Sequence, residues 1–287
     1  EYDAEGNLAR KTEQATGVVS RYVYDHRNRL IRFEQHSAGG ILLSEAEYVY
    51  DVFDRRIVKS VDSDGADPAP VQETRFGYDG LNAWADFDAL NQVTARYLHG
   101  DGLDNLLARW RPDADTAWYL PDHLGTVRDI VDATGAIINH LDYDSFGRLV
   151  TQTNPVVGDR FGFTGREYDP ELELYYYRAR YYDPQLGRFV SQDPLGFAAG
   201  DSNLYRYVGN APLAARDPLG LAGVALFHGL MARRASMAAG AVVGGVLGFA
   251  CGWVEGFTGV AVSAGDADNA DALTLENQVL RLEICRA

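Results

Sequence analysis

The 287-residue sequence is short of the residue types on which metal and redox chemistry usually rests. It holds two cysteines, Cys251 and Cys285, and neither belongs to a CxxC pair. A disulfide framework and a structural zinc site are therefore not expected. The six histidines (His26, His36, His99, His123, His140, His228) are scattered, with no HExxH or HxH spacing, so no metal and no cofactor is expected. Basic residues are scarce as well: 26 Lys and Arg against 41 Asp and Glu give a formal net charge of −15. Binding to phosphate backbones needs a cation-rich face, and none is present. Nucleic acid is thus not an expected partner, and the acidity reads as solubility. Methionine is also rare, 2 against 17 Tyr, and helical periodicity is weak over most of the chain. The chain opens on Glu1-Tyr2-Asp3, inside a repeat and with neither an initiator Met nor a signal-like start. It reads as a fragment of a longer polypeptide.

What is present is repetition. A Tyr-Asp pair occurs at Tyr2-Asp3, Tyr24-Asp25, Tyr50-Asp51, Tyr78-Asp79 and Tyr143-Asp144, the first intervals being 22, 26 and 28 residues. After several of these pairs comes a turn and then a short run with a basic residue, as in DHRNRLIR (25–32) and DSFGRLV (144–150). The pattern is that of a hairpin. Tyr ends one strand with a half-buried ring. Asp accepts turn amides, and Gly or Asn supplies a positive φ. Strands are expected at Ser20–Tyr24, Arg29–Phe33, Glu45–Tyr50, Val93–Leu98, Leu106–Trp110, Ala117–Leu120, Thr126–Val131 and Ala136–His140. Hairpins of this kind bury no face alone but can stand side by side in one long twisted sheet. Residues 161–190 are denser, with two Tyr-Asp-Pro turns around a strand of Tyr and Arg, an aromatic ladder in which Arg stacks on Tyr and pairs with Asp.

The stretch Arg180–Leu221 holds two copies of one pentad, Asp193-Pro194-Leu195-Gly196-Phe197 and Asp217-Pro218-Leu219-Gly220-Leu221. A lone Asp-Pro-x-Gly is simply a good turn. Two of them, brought together at the end of a sheet, would place two carboxylates side by side. Both cannot ionise easily, so one keeps a proton and polarises a carbonyl while the other activates water. A nearby Arg would hold one of them ionised.

These residues carry a resemblance. The Tyr-Asp repeats, YLHG (97–100), DHLGTVR (122–128), FTGR (163–166), RARYYDP (178–184) and PLAARDPLGL (212–221) together resemble the RHS repeat-associated core. This is the YD-repeat shell of bacterial Rhs polymorphic toxins, related to the C subunits of ABC toxins and to the teneurin YD shell. The likeness covers about residues 1–221. It implies a mainly β fold, in which hairpins form a sheet spiralling into a hollow shell with an inward plug. With too few strands to close a shell, this chain would be its C-terminal part. The implied divisions are a wall over 1–160, a plug with an autoproteolytic site over 161–221, and a variable region over 222–287.

The resemblance also implies a role. The shell encloses a C-terminal toxic polypeptide and frees it once, in cis, by aspartyl autoproteolysis. Asp193 and Asp217 are then the catalytic carboxylates, Arg180 the arginine of the site, and the cut falls between Leu221 and Ala222. Phe197 stands where Leu is usual in the first pentad. The implied partners are the chain's own payload, an immunity protein and a secretion apparatus, and the implied location is that of a secreted or surface-delivered bacterial effector. The alternative is a non-enzymatic secreted or cell-surface YD scaffold for adhesion, binding carbohydrate or protein.

Residues 222–287 differ in composition. Ala235–Val254 is uncharged, and glycines recur at 240, 244, 248, 252 and 256. Three readings stay open: a membrane-inserting glycine-zipper helix over 235–256, an apolar segment packed in the shell, or a linker. The acidic run 265–271 lacks EF-hand spacing and reads as a solvated turn. Residues 272–284 read as a short amphipathic helix. No nuclease, deaminase or ADP-ribosyl-transfer motif is evident.

Overall fold

The computed structural model describes residues 1–65, 70–221 and 223–225. The variable-region readings over 235–256, 265–271 and 272–284, together with both cysteines, lie outside the described residues. Thirteen strands follow one another: β1 (Arg10–Thr12), β2 (Val19–Tyr24), β3 (Leu30–His36), β4 (Leu42–Tyr50), β5 (Arg56–Asp62), β6 (Gln72–Asp79), β7 (Asn82–Phe87), β8 (Val93–His99), β9 (Leu106–Arg111), β10 (Ala114–Pro121), β11 (Val127–Val131), β12 (Ile137–Tyr143) and β13 (Leu149–Gln152). Each pairs with the next in a single antiparallel sheet, in strict chain order. A second sheet of four strands follows: β14 (Glu167–Asp169), β15 (Leu174–Tyr177), β16 (Arg180–Asp183) and β17 (Arg188–Phe189). The strand pair β18 (Ala215–Arg216) and β19 (Val224–Ala225) completes the described fold. The expected mainly β architecture is what the chain adopts.

One turn is used again and again. In Asp25, Asp51, Asp122 and Asp144 the carboxylate Oδ1 accepts the N–H groups two and four residues on, at 2.8–3.0 Å. The residue three on stands at positive φ: Asn28 at 59°, Asp54 at 63°, Gly125 at 85° and Gly147 at 87°. Of these aspartates, Asp122 follows Pro121 rather than a Tyr, and Asp88 and Asp132 build the same turn, also without a preceding Tyr. This is a type I turn closed by a left-handed residue, the three-residue hairpin loop. The register slips beside several of these turns, between Val23 and Tyr24, Val49 and Tyr50, Leu120 and Pro121, and Asp142 and Tyr143. A bulge there adds right-handed twist at each hairpin. Tyr78-Asp79 departs from the rule, since a two-residue turn, Gly80-Leu81, joins β6 to β7 with Asp79 opposite Asn82.

The second sheet packs on one face of the first. Tyr22, Phe33, Ala46 and Tyr48 of the long sheet share a core with Tyr176, Tyr181 and Val190. Period-two alternation turns Tyr175, Tyr177 and Tyr182 the other way, into a cluster with Phe163, Phe189 and Tyr207. Buried tyrosines need partners for their hydroxyls. Tyr175 and Tyr182 donate to the carbonyls of Gly147 and Phe146 at 3.0 and 2.8 Å, which ties the last wall turn to the second sheet. Arg56, fully buried in β5, pairs with Asp169 and Glu167 and lies 4.3 Å from the Tyr176 ring centre.

Candidate active site

Arg180 opens β16 and points to the side away from Tyr181. Its guanidinium lies 3.6 Å over the buried Phe189 ring. Every donor group of that guanidinium has a use. Nη1 donates to the Leu204 carbonyl at 3.0 Å and Nε to the Gly220 carbonyl at 2.5 Å. Nη2 is shared between Asp193 Oδ2 at 3.0 Å and Asp217 Oδ2 at 3.4 Å. The structure thus brings the two expected carboxylates, 24 positions apart in sequence, onto one nitrogen of the expected arginine.

The two pentads form related turns. In each, the Asp carbonyl accepts the amide of the Gly three on, Gly196 at 2.8 Å and Gly220 at 3.4 Å, and both glycines are left-handed. The carboxylates differ in what they hold. Asp193 Oδ1 accepts the Leu195 amide at 2.9 Å. Asp217 Oδ1 reaches one residue past its own turn to the Leu221 amide at 3.0 Å. Phe197, the departure from the usual Leu, is 73% exposed, which explains why an aromatic ring is tolerated. Leu221 is half-buried and borders a cleft of about 500 Å³ that also meets Arg180, Asp193, Asp217, Ala214 and Gly223. Ala222 lies outside the described residues. Beyond it the backbone returns antiparallel, Val224 opposite Arg216 and Ala225 opposite Ala215.

Burial raises the pKa of Asp193. Arg180 opposes that rise, and Asp217 adds to it. Burial also lowers the pKa of Arg180 against the pull of both carboxylates. The arrangement is that of a carboxyl group biased to keep its proton beside a second carboxylate, which suits acid–base work on a peptide bond. No group of three or more His, Cys, Asp or Glu side chains among the described residues is placed to hold a metal ion.

Residues that the sequence reading passed over also surround the site. Arg178 donates to the Pro218 carbonyl and to the Leu81 carbonyl at 3.0 Å, and it pairs with Asp104 at 2.7 Å. Asp104 also pairs with the buried Arg166 at 2.6 Å. The signal was there in Arg178, a residue with a long side chain in a two-residue hairpin loop where Gly or Asn is usual.

A meander of hairpins with a tyrosine-rich sheet packed on one face defines a β-shell wall. The Teneurin YD-shell family matches residues 1–213, and the chain belongs to that family. It is 33% identical over 267 residues to the toxin protein Tse5 of Pseudomonas aeruginosa, covering 82% of this chain and 20% of that protein. It is 31% identical over 243 residues to the probable deoxyribonuclease RhsB of Dickeya dadantii, covering 79% and 16%. The crystal structure of TcdB2-TccC3 has the same fold, with a TM-score of 0.61 at 22% identity, covering 77% of this chain and 11% of that one. The chain spans a fifth or less of the length of these relatives.

Proposed function

We propose that the chain is the C-terminal part of an Rhs-type toxin shell that encloses its own C-terminal polypeptide and frees it by aspartyl autoproteolysis between Leu221 and Ala222. In this reading 1–160 is wall, 161–221 is plug and site, and 222–287 begins the released region. The observation that carries it is the sharing of Arg180 Nη2 by Asp193 and Asp217, with Asp217 also holding the Leu221 amide. Asp193, the carboxyl group that burial favours as the acid, donates to the Leu221 carbonyl. Asp217 takes a proton from water. The water oxygen bonds to the carbonyl carbon, the C–N bond breaks as Asp217 passes its proton to the leaving amine, the proton on the former carbonyl oxygen returns to Asp193, and the acid formed ionises. Leu221 ends as a carboxylate and Ala222 as a new N-terminus. Delivery outside the producing cell, a secretion apparatus and an immunity protein follow from a toxic payload, which the names of the relatives support. Membrane contact through 235–256 remains part of this reading.

N-terminal sequencing of the expressed chain tests it. A fragment starting at Ala222 is expected, and Asp193→Asn or Asp217→Asn should leave the chain intact. A wild-type chain that stays whole would favour the non-enzymatic scaffold.

A further inference from the structure

The second pentad is gripped at three successive carbonyls by three successive residues. The Pro218 carbonyl accepts from Arg178 Nη1, the Leu219 carbonyl from the Ala179 amide at 3.2 Å, and the Gly220 carbonyl from Arg180 Nε at 2.5 Å. The next carbonyl is that of Leu221, the one to be attacked. Resting on the autoproteolysis proposed above, we infer that the β15–β16 loop is a clamp on the backbone leading into the cleavage point, and that Arg178 is its positioning residue.

Arg178 is the part of the clamp anchored in the long sheet. Its Nη2 donates to the Leu81 carbonyl in the β6–β7 turn and to Asp104 in the β8–β9 loop. Asp104 is buried, and the same Oδ1 also accepts from Arg166 Nη1. The position of the wall is thereby passed through Asp104 and Arg178 to Pro218, the residue after Asp217. The backbone supplies an independent sign. Arg178 stands at φ 60°, a conformation that glycine adopts freely and a long side chain does at a cost. Turn formation alone would favour Gly at 178. The arginine sits at that conformational cost, and what its side chain does there is hold Pro218, Leu81 and Asp104.

This separates a positioning role from a merely structural one. Arg178→Gly relieves the backbone while removing the clamp. The test follows the full chain made by cell-free translation, with the Ala222-starting fragment timed by mass spectrometry. Arg178→Gly is expected to slow its appearance roughly a hundredfold, the scale of a displacement of about 1 Å at a reacting group. Added methylguanidinium should restore part of the rate. In the uncut Asp193→Asn background, Arg178→Gly should lower the thermal midpoint, because Asp104 loses its pair with Arg178 and keeps that with Arg166, yet leave the chain folded at the assay temperature. An unchanged rate, a slowing that methylguanidinium leaves unrelieved, or a variant that is unfolded at the assay temperature overturns the inference. A wild-type chain that never yields the fragment sinks the autoproteolysis proposal instead.

Discussion

At the residue scale, the candidate site holds one carboxyl group that burial biases toward its protonated form. Free Asp titrates near pH 4. In Asp193, burial raises the folded pKa, Asp217 adds to the rise, and Arg180 limits it. The folded chain therefore holds this proton more tightly than the unfolded chain does. The stabilisation that follows is complete below the ordinary Asp value and is lost as pH rises through the raised one. If Asp193 acts as the acid, the cleavage rate follows the same protonation. A time course of fragment appearance between pH 4.5 and 8 should show the rate falling as pH rises, with its midpoint above the ordinary Asp value. A rate that climbs steadily across that range would remove Asp193 from the acid role.

At the element scale, the two pentad turns share a sequence but differ in what surrounds their glycines. Gly220 stands at φ 67°, and a Cβ there would come within 2.3 Å of the Tyr177 carbonyl oxygen. Gly196 stands at φ 55° with open space around it. Ala at 196 meets only the left-handed backbone cost, about 1–2 kcal/mol. Ala at 220 must also push the turn off the β15–β16 loop, and with it Asp217. Gly220→Ala should therefore cut fragment yield at least about tenfold, while Gly196→Ala leaves it within about twofold. Quantifying both fragments after equal expression checks this, and equal yields would show that the loop contact is idle.

The same scale shows what the sequence made legible. The hairpins were readable because Asp and a left-handed residue at fixed spacing encode the turn locally. The strand ending at Tyr78-Asp79 was marked only by its pair, and the strand Asn82–Phe87 was not anticipated, because a two-residue turn follows Asp79 in place of the three-residue one. The turns at Asp88, Asp122 and Asp132 lack the Tyr, which marks the strand end and not the turn itself. That Asp193, Asp217 and Arg180 would meet was expected from the repeated pentad and the family resemblance. The meeting of Arg178, Asp104 and Arg166 was not, because it depends on three segments that only the packing of the two sheets brings together.

At the scale of the whole molecule, the junction between the two sheets is charged as well as aromatic. Glu167 and Asp169 of β14 face Arg56 and Lys59 of β5, Asp104 faces Arg166 and Arg178, and Asp159 faces Arg109 of β9. Burial alone would raise all four carboxyl pKa values. The adjacent cations outweigh it and leave each below its ordinary value. The sign is opposite to that of Asp193. The stabilisation is present above the ordinary carboxylate range and is lost as pH falls through and below it, because protonation strands the arginines in a dry interface. Urea unfolding should therefore give a free energy that is steady from pH 7 to about 5 and drops steeply from about 4 downward. Removing one partner should mimic the acid. Arg56→Met, which leaves Asp169 and Glu167 buried with fewer cations, should cost about 3–5 kcal/mol at pH 7 and flatten the acid drop. Because Asp104 belongs to both this junction and the clamp on Pro218, the sheets and the cleavage geometry should be lost over the same acidic range. A chain that keeps its urea midpoint from pH 5 to 3 would show that the aromatic packing, rather than these ion pairs, holds the second sheet in place.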